Sequence, residues 1–114
     1  MTIKQTRESE VHRSFIQYLL IKYPDIEFFH IPNGEKRSKI TGKLLKLLGV
    51  KAGVPDLYFP KLHLWFEIKK EGGRLTKEQK SFLERRKFDG DHILVGYGFT
   101  HCMTIFNEYL NERY

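Results

Sequence analysis

The sequence predicts an α/β domain, with a mixed sheet flanked by helices. Three observations predict it. The segment RESEVHRSFIQYLLIKY, from Arg7, sets Val11, Phe15, Tyr18 and Leu19 at helical spacing. Two short apolar segments, LYFP (57–60) and LWFEIK (64–69), lie close enough in the chain to pair as a hairpin. A third apolar run, HILVGY (92–97), follows a helical segment, and that arrangement makes a β-α-β crossover.

Each element follows from its local chemistry. Pro24-Asp25 stops the first helix. IEFFHI (26–31) is short, apolar and aromatic, and reads as a strand; Pro32-Asn33-Gly34 then turns the chain. Leu44, Leu45, Leu47 and Leu48 suggest a short helix that Gly49 ends. After the hairpin, Gly72-Gly73 breaks the chain. Thr76 is a good N-cap, and Gln79 three residues on completes a capping-box pattern. That helix carries Phe82, Leu83 and Phe88 and ends near Gly90, and MTIFNEYL (103–110) closes the chain as a helix. The expected order is α-β-(α)-β-β-α-β-α.

A chain of 114 residues is expected to fold as a single domain, 1–114, with a core that needs no staples. Nine Phe, six Tyr and one Trp demand burial, and this argues against disorder. Cys102 is the one cysteine, so a disulfide framework and a cysteine-based zinc site are excluded. No apolar run approaches the roughly 18 residues of a membrane span, and the first residues lack an apolar signal region. The expectation is a basic domain of a reducing, intracellular compartment, with no membrane partner.

The positive charge is concentrated. Lys36, Arg37, Lys39, Lys43, Lys46 and Lys51 fall in one segment without an acid, and they account for the whole net charge of +6. Such a patch is the electrostatic footprint of phosphate-backbone binding. The solvated face of an ordinary helix gives the same pattern.

The chemistry-bearing region is GVPDLYFPKLHLWFEIKK (53–70). A turn centred between Lys61 and Leu62 sets Tyr58 opposite Trp65, Leu57 opposite Phe66 and Asp56 opposite Glu67. Directly opposed residues have Cβ atoms roughly 4.5–5.5 Å apart. Alternation gives Asp56, Glu67 and Lys69 one face, and leaves Leu57, Phe59, Leu64, Phe66 and Ile68 to pack a core on the other. Two opposed carboxylates repel unless a cation sits between them. A divalent ion held by Asp56, Glu67 and the backbone carbonyl of Ile68 resolves the conflict. Such an ion polarises a phosphoryl oxygen and acidifies water, while Lys69 stabilises the developing oxyanion; this is the logic of phosphodiester hydrolysis. Pro-Asp and Glu-x-Lys are each common without function, so it is their conjunction beside the basic segment that carries the reading.

The order Asp, about ten residues, Glu-x-Lys resembles the PD-(D/E)xK nuclease superfamily, whose αβββαβ core fits the element order. PNG (32–34), LLKLLGVKAGVPDL (44–57) and EIKKEGGRLTKEQ (67–79) are similar to its VRR-NUC branch of virus-type, stand-alone nucleases. The resemblance implies a Mg²⁺- or Mn²⁺-dependent DNA endonuclease, with Asp56 and Glu67 as metal ligands and Lys69 as the catalytic lysine. It also implies a first-helix glutamate at the site, as a further metal ligand. Glu8 and Glu10 compete for that place. Glu8 shares a stripe with Val11, Phe15 and Leu19, and Glu10 lines up with the wetter Ser14 and Gln17, so helix geometry favours Glu8. His12 stands where the family commonly has Gln. Gln79 matches a family glutamine near the site and equally fits the capping box.

The remaining candidates are weaker. No two histidines stand at H-x-x-x-H spacing, so a histidine zinc site is not expected. His30 reads as a satisfied interior histidine that could approach the site. Cys102 reads as a small inert apolar residue, and Tyr58 and Trp65 as cover for the sheet. By analogy with small stand-alone relatives, the expected protein is a homodimer acting on branched DNA such as four-way (Holliday) junctions, in repair, replication or recombination. The alternatives are a catalytically inactive nucleic-acid-binding module on the same fold, or a subunit of a larger complex.

Overall fold

The structure, a computed structural model, describes residues 7–32 and 39–113, with residues 39–41 described in backbone only. The helices are α1 (Glu8–Lys22), α2 (Lys39–Leu47), α3 (Lys77–Phe88) and α4 (Phe99–Arg113). The strands are β1 (Phe29–His30), β2 (Leu57–Phe59), β3 (Leu64–Lys69) and β4 (His92–Tyr97). They form one mixed sheet in the order β1-β2-β3-β4, antiparallel except for the parallel pair β3 and β4. Helix α3 is the crossover between those two. This is the α/β architecture the sequence predicts.

The hairpin register is also the expected one: Leu57 opposes Phe66, Tyr58 opposes Trp65 and Phe59 opposes Leu64. Strand β2 stops at Phe59, because Pro60 cannot donate to the ladder and instead opens a short 3₁₀ turn over Pro60–Leu62. His63 closes that turn in the left-handed region, at φ 49°.

Alternation along the hairpin builds the core. Leu57, Phe59, Leu64, Phe66 and Ile68 are buried on one face. Helices α1 and α4 cover them with Val11, Phe15, Leu19, Phe106 and Leu110. Phe15 lies 4.7 Å from Phe66 and Phe106 lies 5.0 Å from Phe59, ring centre to ring centre. On the opposite face Trp65 packs between Tyr58, at a tilt, and the edge-on ring of Phe82 of α3, so both aromatics cover the sheet as expected. Cys102 packs so tightly against Gly96 that any side chain there would collide with its Sγ. Burial pushes the Cys102 thiol up to about 12, which makes it inert.

Besides β2, which ends one residue short of the expected 57–60, two elements differ from expectation. The first strand spans 29–30 rather than 26–31, because Ile26 and Phe28 are drawn into packing against the core while the chain is still irregular. The last helix begins at Phe99, four residues earlier than expected, directly after Gly98 at φ 91°. The capping box at Thr76 is complete: Gln79 N–H donates to Thr76 Oγ1 and Thr76 N–H donates to Gln79 Oε1.

Candidate functional site

The site grows from the open end of the hairpin. Asp56 precedes β2 by one residue, and there the ladder between β2 and β3 ends. Its Oδ2 accepts the backbone N–H of Ile68 at 2.8 Å, so the side chain replaces the missing strand partner. In an extended strand the N–H and C=O of one residue point to the same edge, so the Ile68 carbonyl is directed towards Asp56 as well.

Glu67 and Lys69 follow from β3. Both are nearly inaccessible, at 3% and 8% exposure, which is unusual for charged side chains. Glu67 Oε2 is buried without a hydrogen-bond partner. Burial first, and then the contact and charge of Asp56, push the Glu67 carboxyl up to about 10; Glu8 adds to the effect and Lys69 opposes it. Without a cation, Glu67 therefore keeps its proton at neutral pH.

Glu8 opens α1 and sets Oε1 3.7 Å from Lys69 Nζ. The buried stripe of Val11, Phe15 and Leu19 orients the helix so that Glu8 lines the cleft and Glu10 does not. That cleft has a volume of about 290 Å³ and is bounded by Glu8, Ser9, His12, His30 and Asp56.

Sequence reasoning names His30 only as an interior histidine that could approach the site and gives His12 no definite role; the structure brings the two together there. His30 is exposed, not interior, and its ring lies 4.6 Å from that of His12. His30 Nδ1 is 3.1 Å from the Asp56 carbonyl oxygen, and His12 Nδ1 is 4.0 Å from Asp56 Oδ1. Desolvation lowers the His12 pKa, Asp56 works against this, and His30 adds to it. A signal existed. Antiparallel pairing of 29–30 with 57–58 brings His30 beside Asp56, but it requires the β1 register, which a two-residue strand hardly advertises.

Gln79, Lys43, Lys46 and Lys51 do not line the cleft. The hydrogen bonds described for Gln79 are those of the capping box, so the structural one of its two expected roles is in place. Lys43, Lys46 and Lys51 are exposed on and after α2. Lys36 and Arg37 lie outside the described residues, as does the side chain of Lys39.

A divalent ion fits this donor set. Two carboxylates and a carbonyl are hard oxygen ligands, and the orphaned buried oxygen of Glu67 is what such an ion would satisfy.

No family model and no curated protein matches the chain. Among solved structures, one described as a VRR_NUC domain protein superposes with a TM-score of 0.80 at 25% identity, over 96% of this chain and 92% of that one. The likeness supports a nuclease-type family for the whole fold described above.

Proposed function

For a chain that folds as a VRR-NUC domain, we propose a metal-dependent DNA endonuclease that hydrolyses phosphodiester bonds and prefers branched substrates such as four-way junctions. The observation that carries this reading is Glu67: a buried carboxyl with an unpartnered oxygen, beside Asp56 and Lys69. A structural role alone gives no reason to keep that group in the core, where burial penalises its charge.

Asp56, Glu67, the Ile68 carbonyl and Glu8 are the ligands proposed for Mg²⁺ or Mn²⁺. The ion, when bound, supplies Lewis acidity towards a phosphoryl oxygen and a more acidic water. The chain's own residues do the rest. Asp56 is held in place by the Ile68 N–H, so its free carboxylate edge is fixed before any ligand arrives. Lys69 carries a fixed positive charge for the oxyanion that develops at phosphorus, and Glu8 steers its ammonium group. Lys43, Lys46 and Lys51, with Lys36, Arg37 and Lys39, bind the phosphate backbone around the site. We assign Gln79 to the edge of the site through its amide nitrogen, the part the capping box leaves over.

Homodimerisation is part of the proposal. Leu44, Leu47, Leu48 and Val50 are exposed on and after α2, an apolar face next to basic residues that a second copy would cover. A two-fold dimer offers two sites to a symmetric junction. Intracellular action, in repair or recombination, follows from such a substrate.

The experiment is a cleavage assay with end-labelled linear, flap and four-way DNA, in chelator, Mg²⁺ or Mn²⁺. Metal-dependent cutting of the four-way substrate, lost in Glu67→Ala, is the expected result. Binding without cleavage, unchanged by metal or by Glu67→Ala, identifies an inactive binding module instead.

A further inference from the structure

The cleft holds a second donor set of different chemistry. One ligand atom from each of His12, His30 and Asp56 lies within 4.8 Å of the others. The three come from α1, the end of β1 and the residue just before β2, so the fold assembles them from distant parts of the chain. A carbonyl oxygen only accepts, so the contact between His30 Nδ1 and the Asp56 carbonyl puts the proton on Nδ1 and the lone pair on Nε2. An imidazole oriented by a backbone carbonyl is the usual arrangement of a metal-binding histidine.

We propose that His12, His30 and Asp56 form a second cation position that takes a borderline ion of the Zn²⁺ class and discriminates against Mg²⁺. Two imidazoles and one carboxylate suit Zn²⁺, whereas Mg²⁺ prefers oxygen donors and keeps its waters. Ligand bonds of about 2.0–2.2 Å around a tetrahedral ion need donor atoms about 3.4 Å apart. Closing to that distance from a spread of up to 4.8 Å requires the exposed His30 ring to tilt on binding. Three protein ligands leave a fourth position open to the cleft, where water or a phosphate oxygen binds. Asp56 belongs to both positions, so this inference rests on the same site as the proposed nuclease, although the histidines are its own.

The test is titration of the full chain with ZnCl₂ in excess Mg²⁺ at neutral pH, read by calorimetry and by the imidazole NMR signals of its five histidines. The expected result is one tightly held Zn²⁺, with signals of His12 and His30 moving and those of His63, His92 and His101 still. His30→Ala weakens Zn²⁺ binding at least about tenfold. Movement of the other histidines, displacement by Mg²⁺, or unaltered affinity in His30→Ala overturns the proposal. The NMR measurement on the unmodified chain does not depend on any variant folding. Zn²⁺ binding without DNA cleavage would reject the nuclease and keep this site; cleavage with no histidine response would do the opposite.

Discussion

Asp56 Oδ2 accepts the Ile68 N–H at 2.8 Å, and so a side chain takes the place of a backbone partner where the hairpin ladder ends. The same carboxylate serves two purposes: it closes the strand pair, and it stands beside the buried acid of the site. Asp56→Ala leaves the Ile68 N–H without its acceptor, at a cost of about 1–3 kcal/mol. Asp56→Asn keeps an acceptor and is expected to lose less stability while losing the metal response equally. Urea unfolding with and without Mn²⁺ checks both halves.

The raised Glu67 carboxyl makes stability depend on pH in a definite direction. Unfolded, this group ionises near 4.5; folded and metal-free, it holds its proton up to about 10. Between those values the folded state binds more protons, so its stabilising contribution is complete in acid and is lost as the pH rises. In chelator, the midpoint of thermal unfolding is expected to fall between about pH 5 and about pH 9, and Glu67→Gln to flatten that decline. Mg²⁺ or Mn²⁺ must displace the proton, so metal affinity rises with pH over the same interval. Calorimetry in buffers of different ionisation enthalpy measures the proton released.

Lys69→Ala is expected to abolish cleavage, by about a hundredfold or more if its charge acts on the transition state alone, while junction binding survives. Retained turnover would show that the lysine serves another purpose. Single-turnover rates and gel-shift affinities separate the two.

Glu8→Ala is expected to reduce the cleavage rate more than Glu10→Ala. Only Glu8 approaches Lys69, at 3.7 Å, and lines the cleft. The opposite ranking in a parallel assay would return the first-helix acid to Glu10.

Neutralising Lys43 and Lys46 together is expected to weaken DNA binding across all substrates. The slope of log affinity against log salt should shrink by about 0.9 for each phosphate that the protein ceases to neutralise. An unaltered slope would mean that α2 faces away from the nucleic acid.

Much of the fold was legible in the sequence, for reasons that lie in particular residues. The hairpin register followed from a turn centred between Lys61 and Leu62, and alternation then set Leu57, Phe59, Leu64, Phe66 and Ile68 on one buried face. The start of α3 was legible because Thr76 and Gln79 satisfy each other's backbone within four residues. The grouping of Asp56, Glu67 and Lys69 belongs to the same local class, since short loops and strand pleat determine it.

What only the tertiary structure decided involves residues far apart in the chain. Glu8 meets Lys69 because the buried stripe of α1 docks on the sheet, and nothing near either residue encodes that meeting. His30 is placed beside Asp56 and His12 by a two-residue strand, too short for periodicity to announce. The burial that holds a proton on Glu67 is likewise a property of the assembled core. Local patterns specify which faces are apolar and where elements begin and end. Which side chains then share a dry, low-dielectric space is settled only when those faces close on one another.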